Sequence, residues 1–102
     1  VRDRIYRDID AERDRQEARF GPQFHSWPVW STILNEECGE VAQASLHAHW
    51  GDRFVADDPR LMHLREELIQ VAAVAVQMVE KIDAGAFPEP IPRASDDGVN
   101  GM

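Results

Sequence analysis

The chain carries one cysteine, Cys38, in 102 residues. An internal disulfide is therefore excluded, and the usage fits a reducing compartment, so a cytoplasmic location is expected. With no identifiable base beside it, Cys38 is expected to be a small buried apolar residue, not a nucleophile. Long apolar runs are missing as well. None reaches the roughly 18 to 20 residues that span a bilayer, so no membrane association is expected. The opening residues VRDRIYRDID have no apolar core of the kind a secretory signal carries. Positive charge is scarce: 11 Lys and Arg stand against 19 Asp and Glu, for a formal net charge of −8 and a pI near 4.8. That balance argues against polymeric nucleic acid, whose phosphate backbone needs a concentrated basic surface. A free nucleotide stays compatible if carboxylates bring magnesium or manganese to its phosphates. No stretch alternates with the period of a strand, and no repeat of solenoid length occurs.

What is present is helical spacing. A chain of this length is one small domain with a modest buried fraction, so completion of its core by a second copy is expected. Residues 2 to 19 place Ile5, Tyr6 and Ile9 among alternating charges, which predicts a helix docking through a narrow apolar edge and ending at Gly21-Pro22. The aromatic segment FGPQFHSWPVW leads into a second helix, with Pro28 in its first turn, that runs to about His49 before Gly51. Asp58 and Pro59 form an N-cap and first-turn pair for a third helix over 59 to 84, before Gly85. Ten apolar residues from Leu61 to Ile82, among them Leu64, Leu68, Val71, Val76 and Val79, cover about half of that helix. The proline-alternating tail, 87 to 102, is expected to be extended and then disordered. The fold class is accordingly all-α: one domain over 1 to 86 with three main helices, its bundle completed by dimerisation.

Polar residues on the second and third helices form stripes. At about 100° per residue, Glu36, Glu40, Gln43 and His47 fall within about 60° of one another, with Glu37 alongside. On the third helix, His63, Glu66, Gln70 and Gln77 do the same, with Glu67 alongside. An antiparallel hairpin across the short connection brings the stripes opposite each other. Oxygen ligands converging from two rigid elements suit a hard divalent cation. The plain alternative is a solvated face, which is what most Glu-x-x-Glu pairs are. Gly39, within ILNEECGEVAQA, costs a helix about 1 kcal/mol relative to alanine, and a close approach of backbone, metal or substrate is one reason to keep it.

ILNEECGEVAQASL and LREELIQVAAVAVQMVEKID together resemble the MazG-like nucleotide pyrophosphohydrolases, of the all-α NTP pyrophosphatase superfamily, over roughly residues 23 to 83. The family motif is EExxE, a spacer, then ExxD. Glu36-Glu37-Cys38-Gly39-Glu40 matches the first half, and Glu67-Leu68-Ile69-Gln70 aligns with the second across a 26-residue spacer, residues 41 to 66. The last acid is replaced by Gln70, which offers a carbonyl oxygen and no charge. The resemblance implies hydrolysis of a nucleoside triphosphate to the monophosphate and pyrophosphate, with Mg²⁺, or Mn²⁺ in its place. It implies Glu37, Glu40 and Glu67 as metal ligands with Gln70 assisting, and Glu36 or Glu37 as the catalytic residue that takes a proton from the attacking water. Expected partners are the nucleotide and further copies of the chain, as a homodimer or a dimer of dimers. Trp27, Trp30 and His25, with Phe24, stack on a base or else cap the core, and Arg65 and Lys81 are the expected phosphate contacts. The alternative is a weakened relative that binds a nucleotide or a protein partner without turnover. A purely structural helical oligomer is a third reading.

Overall fold

Two prolines and two glycines mark helix ends in this chain. The computed structural model describes residues 1–50 and 58–85. Helix α1 spans Arg2–Phe20 and stops at Gly21, whose φ of 68° lies in the left-handed region that glycine enters without a Cβ clash. Helix α2 spans Trp27–His49 with Pro28 in its first turn. Helix α3 spans Pro59–Asp83, opened by Asp58, whose side chain accepts from the Arg60 backbone N–H at 2.8 Å. The Asp58 carboxyl is held below its ordinary range first by the Arg60 guanidinium, which donates to it at 3.0 Å, and then by that backbone bond. Gly85, at φ 66°, follows the end of α3. All three helices and their limits agree with the sequence expectations to within about a residue, and no strand occurs among the described residues. The expectations for the segment beginning at Gly51 and for the tail, 87 to 102, lie outside the described residues.

Helix α3 is the hub, packing against both α2 and α1. Against α2 it is antiparallel: His47 shares a cleft with His63, while Trp30, near the start of α2, shares one with Gln77. Against α1 it is parallel, since Asp8 pairs with Arg65 and Arg13 with Glu80. The core is small, formed by Trp30, Ala44, Ala48, Ala73 and Val74.

Three expectations change. Helix α1 does not dock through Ile5 and Tyr6, which are exposed; its buried residues are Glu12 and Arg13. Beyond Ile9 the helix offers only alanines until Phe20, so long polar side chains make the contact, with Arg13 donating to Glu80 at 2.7 Å and to Glu17 at 2.9 Å. Cys38 is exposed, because it lies about 100° around α2 from the inward row of Trp30, Glu37, Ala44 and Ala48. Gly39 has nothing within 4 Å of where a Cβ would sit, so no close approach among the described residues accounts for it.

The apolar half of α3 is divided. Its inward face carries Glu67, Ala73, Val74 and Gln77, whereas Leu68, Val79 and Ile82, on the opposite side, are about half exposed. Among the described residues, packing α1 and α2 on one side of α3 leaves Leu68, Val79 and Ile82 uncovered. No helix of the described residues is long and apolar enough to cross a membrane.

Candidate metal centre

Residues seven apart on an α-helix return to nearly the same face, with a drift of only about 20°. Trp30, Glu37 and Ala44 are such a series, so Glu37 projects with core residues toward α3. On α3, Glu67 and Val74 stand in the same relation and face back. Glu40, three residues after Glu37, lies at the rim of this interface and is exposed. Each of Glu37, Glu40 and Glu67 offers a carboxylate oxygen, and these oxygens lie within 4.8 Å of one another.

The electrostatics follow from that crowding. Glu37 has its carboxyl raised above the ordinary range, first by burial and then by the charges of Glu40 and Glu67. The Glu67 carboxyl, 9% exposed as a residue, is raised by burial and by Glu40, while His63 opposes the shift. Oε2 of Glu37 and Oε2 of Glu67 are both buried without a hydrogen-bond partner. Three carboxylates, two of them with an orphaned oxygen, fit a small hard cation: magnesium takes oxygen ligands at about 2.0–2.1 Å, so opposed ligand oxygens stand about 4 Å apart. His63 Nε2 lies 3.5 Å from Glu67 Oε1 and pairs with that carboxylate when the ring is protonated.

The remaining expected site residues divide around this centre. Gln70 lines a cavity of about 490 Å³ together with Glu37, Glu66 and α1 residues. Glu36 is exposed on α2, also outside the group, and acts on Glu37 only through its charge. Trp30 is 2% exposed and meets the His25 ring edge-on at 4.9 Å, so it caps the core, while one side of it borders a smaller cavity shared with Glu37. His25 Nε2 pairs with Gln23 Oε1 at 2.9 Å. Trp27 is half-buried at the start of α2. Arg65 donates to Asp8 at 2.6 Å, tying α3 to α1, and Lys81 sits over the Phe24 ring at 4.6 Å.

Arginines that do border the site come from α1. Arg15 and Arg19, with Glu12, Gln16 and Phe20, form the α1 wall of the 490 Å³ cavity. Arg15 also pairs with Glu12 one turn away. The sequence held a signal for them, since 12, 15, 16 and 19 share a helical face, but that face reads as a solvated charge row until α1 is docked. Comparison of the chain with protein-family models, with curated proteins and with solved structures returned no match.

Proposed function

We propose that the chain is a metal-dependent nucleoside triphosphate pyrophosphohydrolase of MazG-like fold, acting as a homodimer or dimer of dimers in the cytoplasm. The observation that carries this reading is the meeting of Glu37, Glu40 and Glu67 from two helices, with buried, unpartnered oxygens on Glu37 and Glu67. These are three of the four acids, Glu36 being the other, at which the sequence resembles the family motif, so residue pattern and geometry support the same reading.

Glu37, Glu40 and Glu67 would hold Mg²⁺, or Mn²⁺, which shares the preference for oxygen ligands. When bound, the ion supplies neutralisation of the triphosphate charge and an acidified water for attack at the α-phosphorus. The chain does the rest. Glu36, exposed at the edge of the cluster, accepts the proton that this water loses, and Glu37 takes that part if the ion is held by the other acids. Arg15 and Arg19 bring positive charge to an otherwise acidic cavity wall, where phosphate oxygens need it. Dimer formation is supported by the exposed Leu68, Val79 and Ile82 stripe, which a second copy would cover.

One observation favours a second reading, a weakened relative that binds a nucleotide or a protein partner. Gln70 adds no charge at the family's last acidic position, although it lines the cavity that Glu37 borders. Pyrophosphate release from a panel of nucleoside triphosphates with Mg²⁺ or Mn²⁺ separates the two. Release that Glu40→Gln lowers by at least about a hundredfold is the expected result, in line with losing a group that stabilises transition-state charge. Silence across the panel, turned into turnover by Gln70→Asp, would make the weakened relative the better account.

A further inference from the structure

Tyr6 and Asp10 each precede one of the cavity-lining arginines, Arg15 and Arg19, by nine residues, which puts them about 180° around α1 from that wall. This other flank of the α1–α3 contact is a groove of about 440 Å³ lined by Tyr6, Arg7, Ile9, Asp10, Arg13 and Val76. Tyr6 is 60% exposed, and Val76 is more than a third exposed. Arg13 is held by Glu17 and Glu80, whereas Arg7 makes no ion pair among the described residues. The groove thus offers an aromatic ring, aliphatic walls and one uncommitted cation. Val76 lies about 60–120° around α3 from Leu68, Val79 and Ile82, so filling the groove leaves that stripe free.

An occupant of matching chemistry is tethered next to it. Gly85 follows α3 in the left-handed region, a conformation that turns a chain back toward the last turn of the helix it has left. After it the chain continues with residues 86–102, which begin AFPEPIPR. Prolines at 88, 90 and 92 favour the polyproline conformation, with its rise of about 3.1 Å per residue. From Gly85 to Ile91 that gives about 19 Å, against about 14 Å along α3 from Gly85 back to Val76. The segment reaches the groove with length to spare for the turn. Proline-rich segments suit aromatic-lined grooves because their conformation is already set and little entropy is lost on docking. Glu89, between the apolar Phe87 and Ile91, supplies the charge that Arg7 lacks. A short tether also gives an effective concentration of about mM, an advantage no outside partner shares.

We propose that residues 87–92 dock in this groove of their own chain, with the prolines against Tyr6, Phe87 and Ile91 along Ile9 and Val76, and Glu89 facing Arg7. Docked there, the segment clasps α1 to α3 from the flank opposite Arg15 and Arg19, and so steadies the wall those arginines form. The proposal does not depend on the hydrolase reading.

Tyr6 is the only tyrosine, so its ring protons report on the groove without ambiguity. In the full chain, nuclear Overhauser contacts are expected from that ring to proline or Ile91 protons. A mixture of isotope-labelled and unlabelled protein, filtered for contacts between chains, should show none of them. Ile91→Asp should abolish the contacts and lower the Tm by about 4–8 °C, the scale of losing one apolar anchor in a chain of this size. Val99→Asp, the same change outside the segment, should shift it by less than about 2 °C. Tyr6→Ala should act like Ile91→Asp and add little to it, because both remove one contact. Absence of ring contacts to the segment overturns the proposal, as does an equal effect of Ile91→Asp and Val99→Asp. Contacts found only between chains overturn it too, assigning the groove to the segment of a second copy.

Discussion

Around the circumference of α3, the side that meets α1 and α2 buries Glu67 and Gln77, while the opposite side leaves Leu68, Val79 and Ile82 about half exposed. A helix of a self-sufficient monomer arranges these the other way, with its aliphatic stripe inward and its acids in water. Burying a carboxylate beside two others raises its pKa and destabilises the fold unless something binds it. Leaving an aliphatic stripe in water forgoes about 25 cal/mol per Å² of the burial it offers. The two faces are thus unsatisfied in complementary ways, one wanting a cation and the other an apolar cover. Under the proposed function, the inward face would carry the chemistry and the outward face the assembly.

The largest expected effect comes from the outward face. Val79→Asp places a charge in the stripe, and sedimentation should show self-association weakened by at least about a hundredfold, as expected when an unpaired charge must be buried at an interface. Helix content should hardly change, since an exposed substitution on a monomer costs about 0.5 kcal/mol or less. A wild-type chain that stays monomeric at high concentration would break the comparison.

On the inward face, Glu67→Gln removes a buried charge and relieves Glu37 and Glu40. Without metal the variant should be more stable by about 1–3 kcal/mol, the scale of one unsatisfied buried polar group. The thermal shift caused by Mg²⁺ in the wild type should vanish. A variant less stable than wild type without metal would mean that the carboxylate is already satisfied.

The pH dependence should have an unusual sign. The Glu37 and Glu67 carboxyls are both raised above the ordinary 4.5 in the fold. Between that value and their folded-state values the native chain binds more protons than the unfolded one, so these two groups make stability fall as pH rises through the window. Below the ordinary value their contribution is level. Thermal melts in chelator from pH 4 upward should show the decline, and saturating Mg²⁺ should abolish it by favouring the ionised forms.

The smallest effect sharpens the question of what lies over α2. Gly39→Ala should stabilise the single chain by about 1 kcal/mol from helix propensity alone, since nothing occupies the space a Cβ would enter. Weakened self-association in the same variant would instead assign Gly39 to a contact with the second copy.

Much of the fold was legible in the sequence. Asp58-Pro59, Pro28, Gly21 and Gly85 act through neighbouring backbone atoms, so their effect on helix ends needs no tertiary information. Glu37, Glu40 and Glu67 were legible as a group only through the resemblance to the family motif, since helical rotation alone places Glu37 and Glu67 about 100° from Glu36 and Glu66. The roles of Arg65 and Lys81 were not. Whether a surface cation faces a ligand or a neighbouring helix depends on which side that neighbour docks, and here Asp8 and Phe24 arrive from outside the motif.

By itself, then, the sequence determined the three helices, their limits and the set of acids that an antiparallel pair would oppose, because caps, breakers and helical periodicity are local properties. Tertiary structure alone decided that Glu67 is buried and Glu37 half-buried, that Gln70 lines a cavity with Glu37, and that Gln16, Arg15 and Arg19 of α1 wall that cavity. Those outcomes depend on where α1 and α2 lie around α3. That placement reflects long-range packing and ion pairs between residues more than fifty positions apart, such as Asp8 with Arg65 and Arg13 with Glu80.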